Sequence, residues 1–127
     1  MRRWILLAMI TILGVTTFTL ILAAQEKFQK LTGAQIRAKF AGMEVTDEVH
    51  WRELYERNGS LSSSSMGRKR TGKWRIEKDT FCIEYDKEPP AKCYEVWAAG
   101  KKVELRGEGL LPLQGVVVPP TGRGGKQ

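Results

Sequence analysis

Cys82 and Cys93 are the only cysteines of the chain, and they flank the acidic Pro-Pro segment in GKWRIEKDTFCIEYDKEPPAKCYEVW, residues 72–97. Two thiols so placed can form a single disulfide, stay free, or supply half of a metal site. A structural zinc site takes four ligands, and the chain adds one histidine and no further cysteine. The pair therefore predicts a disulfide, provided the chain reaches an oxidising compartment. His50 is the other residue suited to chemistry, with Glu48 and Glu53 close in sequence. General acid–base or nucleophilic catalysis needs a carboxylate or nucleophile held within hydrogen-bond reach, and this neighbourhood is a commonplace one. The serine run at 62–65 lacks a nucleophile-elbow pattern such as G-x-S-x-G. Gly122, Gly124 and Gly125 follow no strand and form no phosphate loop. The expectation is a non-enzymatic protein without catalytic residues, cofactor or metal.

A basic cluster is the most suggestive surface feature: Arg68, Lys69 and Arg70, with Lys73 and Arg75 close behind. It could hold an anion such as a lipid phosphate, an acidic polysaccharide or an acidic envelope protein. The bland alternative is a solubilising face, since the chain carries 21 Lys and Arg against 14 Asp and Glu. Nucleic acid is not expected, because no aromatic-basic reading surface accompanies the charge and the chain is exported.

Export is read from the N-terminus. MRRW is basic, the run 5–24 is apolar, and QEKFQK turns polar at once. This is the pattern of a secretory signal peptide cut after Ala23 or Ala24. The same twenty residues are long enough to span a bilayer as an uncleaved, periplasm-facing anchor, the one case in which a membrane partner is expected. Removing 1–24 takes Arg2 and Arg3 and no acid, leaving 103 residues with 19 basic and 14 acidic side chains. That is one small domain, for which a covalent staple would help. The expected organisation is a leader over 1–24, a periplasmic or secreted β-rich domain over 25–118, and a disordered tail over 119–127.

The elements that must position the cysteines follow from alternation. Trp74 and Ile76, Phe81, Ile83 and Tyr85, Tyr94 and Val96, and Val103 and Leu105 each alternate with polar residues, the period of half-buried strands. A two-residue turn at Lys78-Asp79 sets Ile76 opposite Phe81 and Trp74 opposite Ile83. A turn centred between Lys87 and Glu88 sets Phe81 opposite Tyr94 and Cys82 opposite Cys93. A turn at Ala99-Gly100 sets Val96 opposite Val103 and Tyr94 opposite Leu105. All three place the large apolar residues on one face, a consistency that a one-residue slip would destroy. The result is a four-stranded antiparallel meander whose central hairpin is pinned by the cysteines on its other face.

Upstream, LTGAQIRAKFAGM predicts a short helix with Thr32 and Gln35 as a capping box and Gly42 as left-handed cap. Ile36 and Phe40 form the face it buries on the sheet. Asn58-Gly59 predicts a hairpin that sets Trp51 opposite Met66 and Tyr55 opposite Ser62. Its serine-rich second arm reads as an edge strand or mobile loop. GLLPLQGVVVPP offers one or two final strands interrupted by Pro112 and Gly115.

LTGAQIRAKFAG, the Trp51 and Tyr55 strand with its Asn58-Gly59 turn, GKW, FCIEY and KCY together resemble a family of small exported proteins. That family occurs in rhizobia and related alphaproteobacteria and is catalogued as a domain of unknown function. The resemblance spans roughly residues 31–105, with LSSSSMGRKRTG departing from the tighter family segment. It implies a secreted or periplasmic β-rich domain with a disulfide, and no catalytic residues. Gly72-Lys73-Trp74 also resembles the G-x-W of lipocalin-type barrels, although here a helix and a hairpin precede it. The expected fold is mainly β (α+β), one N-terminal helix on an antiparallel meander able to curl into a partial lipocalin-like barrel. The expected function is a binding or envelope-associated module for an anionic envelope component. A lipocalin-like protease inhibitor, acting through residues 25–31 or a loop, is the alternative.

Overall fold

The computed structural model describes residues 27–121. The leader expected at 1–24 and residues 122–127 of the expected tail lie outside them. Among the described residues, no helix is long and apolar enough to cross a membrane.

One helix and nine strands follow in order: β1 (Gln29–Lys30), α1 (Gly33–Phe40), β2 (Met43–Thr46), β3 (Trp51–Tyr55), β4 (Ser60–Ser65), β5 (Arg68–Glu77), β6 (Thr80–Tyr85), β7 (Glu88–Ala99), β8 (Lys102–Arg106) and β9 (Leu113–Val118). Strands β2 to β9 each pair antiparallel with the next, and β9 returns to β2 with Val117 opposite Val45. The sheet is thus a closed eight-stranded barrel, complete where a partial curl was expected. Closure comes from β2, which the meander reading did not contain, and from β9, which runs through Gly115 instead of breaking there.

The hairpins test the expected registers one by one. Ile76 faces Phe81, Trp74 faces Ile83, Phe81 faces Tyr94 and Cys82 faces Cys93, all as expected. The β7–β8 turn lies one residue later, at Gly100-Lys101, so Val96 faces Leu105 and Ala98 faces Val103. This displacement changes the partners by two positions and keeps every apolar side chain on its face. The β3–β4 hairpin departs further. Arg57, Asn58 and Gly59 form a three-residue loop, with Glu56 N–H bonded to Ser60 O at 2.9 Å and Gly59 at φ +92°. Three-residue loops of this kind close on a residue in the left-handed region, which glycine adopts without strain. The extra residue moves Leu61 opposite Tyr55 and Ser65 opposite Trp51, turning Leu61 and Ser63 inward. Far from being an edge or a loose loop, β4 lies between β3 and β5, because a closed barrel has no edge to assign it to.

Helix α1 forms as expected. Thr32 caps it, its side chain and that of Gln35 bonding each other's backbone N–H, and Gly42 follows the end at φ +77°. Ile36 and Phe40 are fully buried. Phe40 enters a cluster of rings, 5.6 Å from Tyr55 and 4.9 Å from Phe81, with Trp74 behind them. The helix therefore plugs one end of the barrel. Its first turn is set against the β5–β6 turn, with Gly33 N–H donating to Asp79 Oδ1 at 2.7 Å.

The Cys82–Cys93 disulfide is formed, and β1 adds to the far half of β7 through Ala98 and Trp97. Replacing both cysteines by serine is expected to lower unfolding stability by roughly 3 kcal/mol, read as a lower urea midpoint. A methyl group at Gly33 would lie 2.1 Å from the backbone oxygen of Lys78. Gly33→Ala is accordingly expected to cost about 1–3 kcal/mol in the same measurement.

Candidate functional site

Strand alternation decides what the barrel contains. Along β3, Glu53 and Tyr55 share the inward face, and the residue between them, Leu54, points out. Tyr55 is fully buried and Glu53 is 6 % exposed. The carboxylate of Glu53 accepts hydrogen bonds from the hydroxyls of Tyr55, Tyr85 and Ser63, the last at 3.2 Å. These come from β3, β6 and β4, so three strands converge on one acid.

Glu53 lies at the inner end of a cavity of ≈ 480 Å³ that opens away from α1. Ile83, Leu105 and Leu113 supply apolar walls, Tyr85 and Tyr94 aromatic ones, and Arg70 and Lys92 charge at the rim. The volume is in the range of sites that hold small molecules. All five large apolar side chains left exposed among the described residues belong to the connections or strand end at the barrel end away from α1, and of them Leu113 lines the cavity. They are Val49, Met66, Leu110, Leu111 and Leu113.

The electrostatics follow from burial. Desolvation pushes the Tyr55 phenol well above its ordinary value, and the charge and hydrogen bond of Glu53 push the same way. Tyr85 is raised strongly by burial and then by Glu53, with Arg70 and the Ser63 hydroxyl pulling back. Tyr94 is raised by burial and by Glu53. At neutral pH all three phenols keep their protons, so Tyr55 and Tyr85 stay donors to the acid.

The basic cluster is divided by the strand that carries it. Lys69, Lys73 and Arg75 fall on the outer row of β5, whereas Arg70 reaches the cavity. Arg70 Nη1 bonds Glu88 Oε2 at 2.9 Å while its guanidinium lies 3.8 Å over the Tyr85 ring. Arg68 approaches Glu88 at 3.7 Å, Arg75 pairs with Glu77 at 2.8 Å, and Lys73 stands opposite Glu84 in the ladder. Four of the five cations thus have an acid beside them.

His50 is paired with Asp47, and not with Glu48 or Glu53, the acids noted beside it in sequence. Its Nδ1 lies 2.8 Å from Asp47 Oδ2 in the exposed β2–β3 connection. Asp47 Oδ1 accepts the backbone N–H groups of Val49, His50 and Trp51 at 3.0, 2.7 and 3.0 Å. Burial opposes the charge, yet these N–H groups and the imidazole hold the Asp47 carboxyl well below the usual carboxylate range. The pair fastens a turn. Among the described residues, the one group with metal-ligand spacing is Glu77 with Cys82 and Cys93, and its sulfurs are spent in the disulfide.

No protein-family model, curated protein or solved structure matches the chain.

Sequence reasoning missed Glu53, Tyr85 and Tyr94 as a site. The signal was an acid in phase with Trp51 and Tyr55 on the apolar row of a strand, where a solvated strand would carry a hydrophobe. Burial is the larger cause of the raised phenols, and the Glu53 charge adds to it. With that charge removed in Glu53→Gln, Tyr85 and Tyr94 are expected to ionise at lower pH than in the wild type in ultraviolet titration. Raised phenols lend no pH dependence below about 10, where both folded and unfolded chains are protonated. Above it the unfolded chain loses protons first, so stability falls as pH climbs through the folded values. That alkaline loss is expected to be shallower in Glu53→Gln.

Proposed function

We propose that the chain is an exported, non-enzymatic binding protein that holds a small amphipathic molecule in the open end of its barrel. The observation that carries this is the interior acid. An eight-stranded barrel is narrow enough to be filled by its own side chains or to hold one small ligand. Here one end is packed with rings beneath α1, while the other leaves a cavity with Glu53 at its inner end. A barrel needed only as a structure has no use for a buried carboxylate that faces a cavity with no cation paired to it among the described residues, which is costly to desolvate. Lipocalin-type barrels that hold a single ligand also have eight antiparallel strands, a parallel in strand number that supports the reading without carrying its chemistry. Membership of the exported alphaproteobacterial family belongs to the same proposal, and the disulfide is compatible with the oxidising compartment it requires.

Anion capture on the outer row of β5 is less favoured, because Lys73 and Arg75 each have an acid at hand. The inhibitor alternative also meets an obstacle. Residues 29–31 are tied to β7 by the β1 ladder and by Leu31 N–H on Val96 O at 2.8 Å, and must be released before entering a target.

Native mass spectrometry of the protein recovered from its own cells without reductant tests the proposal. A non-covalent adduct is expected, lost in Leu113→Trp, which fills the rim, and retained in Lys73→Ala on the outer face. A bare wild-type chain would move the function to a protein partner, inhibition included.

A further inference from the structure

Among the described residues three carboxylates are buried: Glu44, Glu53 and Glu104. Two of them have a guanidinium. Arg52 Nε lies 3.4 Å from Glu44, and Arg106 Nε lies 2.7 Å from Glu104. Glu53 takes part in none of the ion pairs of the described residues and is held by hydroxyls alone. It is also the one of the three that lines the cavity. A desolvated charge without a counter-charge is the costly arrangement that native interiors avoid by pairing. Hydroxyl donors satisfy its lone pairs and leave its charge uncompensated.

We infer that the ligand carries a protonated amine, which seats on Glu53 with its apolar body against Ile83, Leu105 and Leu113. This rests on the binding-barrel reading and names the class of molecule that fits it. The rim argues in the other direction, since Arg70 and Lys92 would favour an anion. Burial decides between them. Arg70 is already engaged by Glu88 and by the ring of Tyr85, and Lys92 is exposed to solvent that screens it. A cation reaching Glu53 meets its partner out of water, where the attraction is far stronger. Tyr94, which lines the same cavity, is the ring left to meet such a cation, because the Arg70 guanidinium already covers Tyr85.

The test is calorimetric titration of the disulfide-intact protein near neutral pH with octylamine, 1-octanol and octanoate, three probes that share one tail. Octylammonium is expected to bind about tenfold or more tighter than octanol, with octanoate no tighter than octanol. Glu53→Gln is expected to abolish the amine preference, bringing octylamine to the level of octanol, while Lys73→Ala on the outer face leaves the binding of all three probes as in the wild type. Octanol equal to octylamine, or octanoate tightest of the three, overturns the inference and leaves the barrel reading standing. If none of the three binds, or if Leu113→Trp binds them as the wild type does, the barrel reading itself falls. Should Glu53→Gln fail to fold, the wild-type ultraviolet difference spectrum serves instead. Octylamine and not octanol is expected to perturb the phenols of Tyr55 and Tyr85 as the charge beside them is neutralised, and equal perturbation by both refutes the amine.

Discussion

The short ladder between β2 and β9 makes this chain a container. Glu44, Val45 and Thr46 meet Val118, Val117 and Val116. Those pairings join strands separated by most of the domain, so the loop they close is entropically the most expensive in the fold. Without them the sheet would keep two free edges and no inside, and the alternation that aims Glu53 inward would aim it at one face of an open sheet. The outer side of the seam is fastened as well. Thr121 N–H donates to Glu44 Oε1 at 3.0 Å, and Arg52 pairs with the same carboxylate. Closure also pairs the edges of β2 and β9 that an open sheet would leave to aggregate.

Within the closed sheet the interior has two chemistries, and Tyr55 belongs to both. Its ring packs 4.9 Å from Phe81 and 5.6 Å from Phe40 under the helix, while its hydroxyl reaches Glu53. A tyrosine has a stiff body and a polar tip, so fixing the ring fixes the donor. The helix that plugs one end thereby helps position the acid that faces the other. Packing at the closed end is, in this sense, part of the site.

Much of the fold was legible because turn chemistry and alternation are local. The capping box at Thr32, the Cys82–Cys93 register and the strands β5 to β8 each depend on residues only a few positions apart. The errors have local causes too. Asn58-Gly59 serves two-residue and three-residue loops equally well, and only the cost of leaving Leu61 outside selects the longer one. Partnership between β2 and β9 leaves no local trace, because MEVT and LQGVVV carry no sign of each other. The candidate site was hidden for a related reason. Glu53, Ser63, Tyr85 and Tyr94 lie on four strands, and their meeting is a property of the closed barrel and not of any segment. Arg68 to Arg75, in contrast, read as one patch in sequence, and the pleat then separated the cations.

Strand β7 has a divided allegiance. Its first half pairs with β6, from Glu88 opposite Tyr85 to Tyr94 opposite Phe81, while only residues 95–99 pair with β8. On the β8 side, 88–94 have no ladder partner among the described residues, and Pro89 and Pro90 blunt that edge by lacking an N–H to offer. The cavity reaches this slit, bounded by Pro90 and Lys92 on one lip and by Leu105 and Leu113 on the other. A vessel split along its side has no fixed depth. The head of a guest would be gauged by the space around Glu53, but a tail could trail out between the lips into whatever lies alongside. In the proposed binding role, such a barrel would sort molecules by their polar end and remain indifferent to their length.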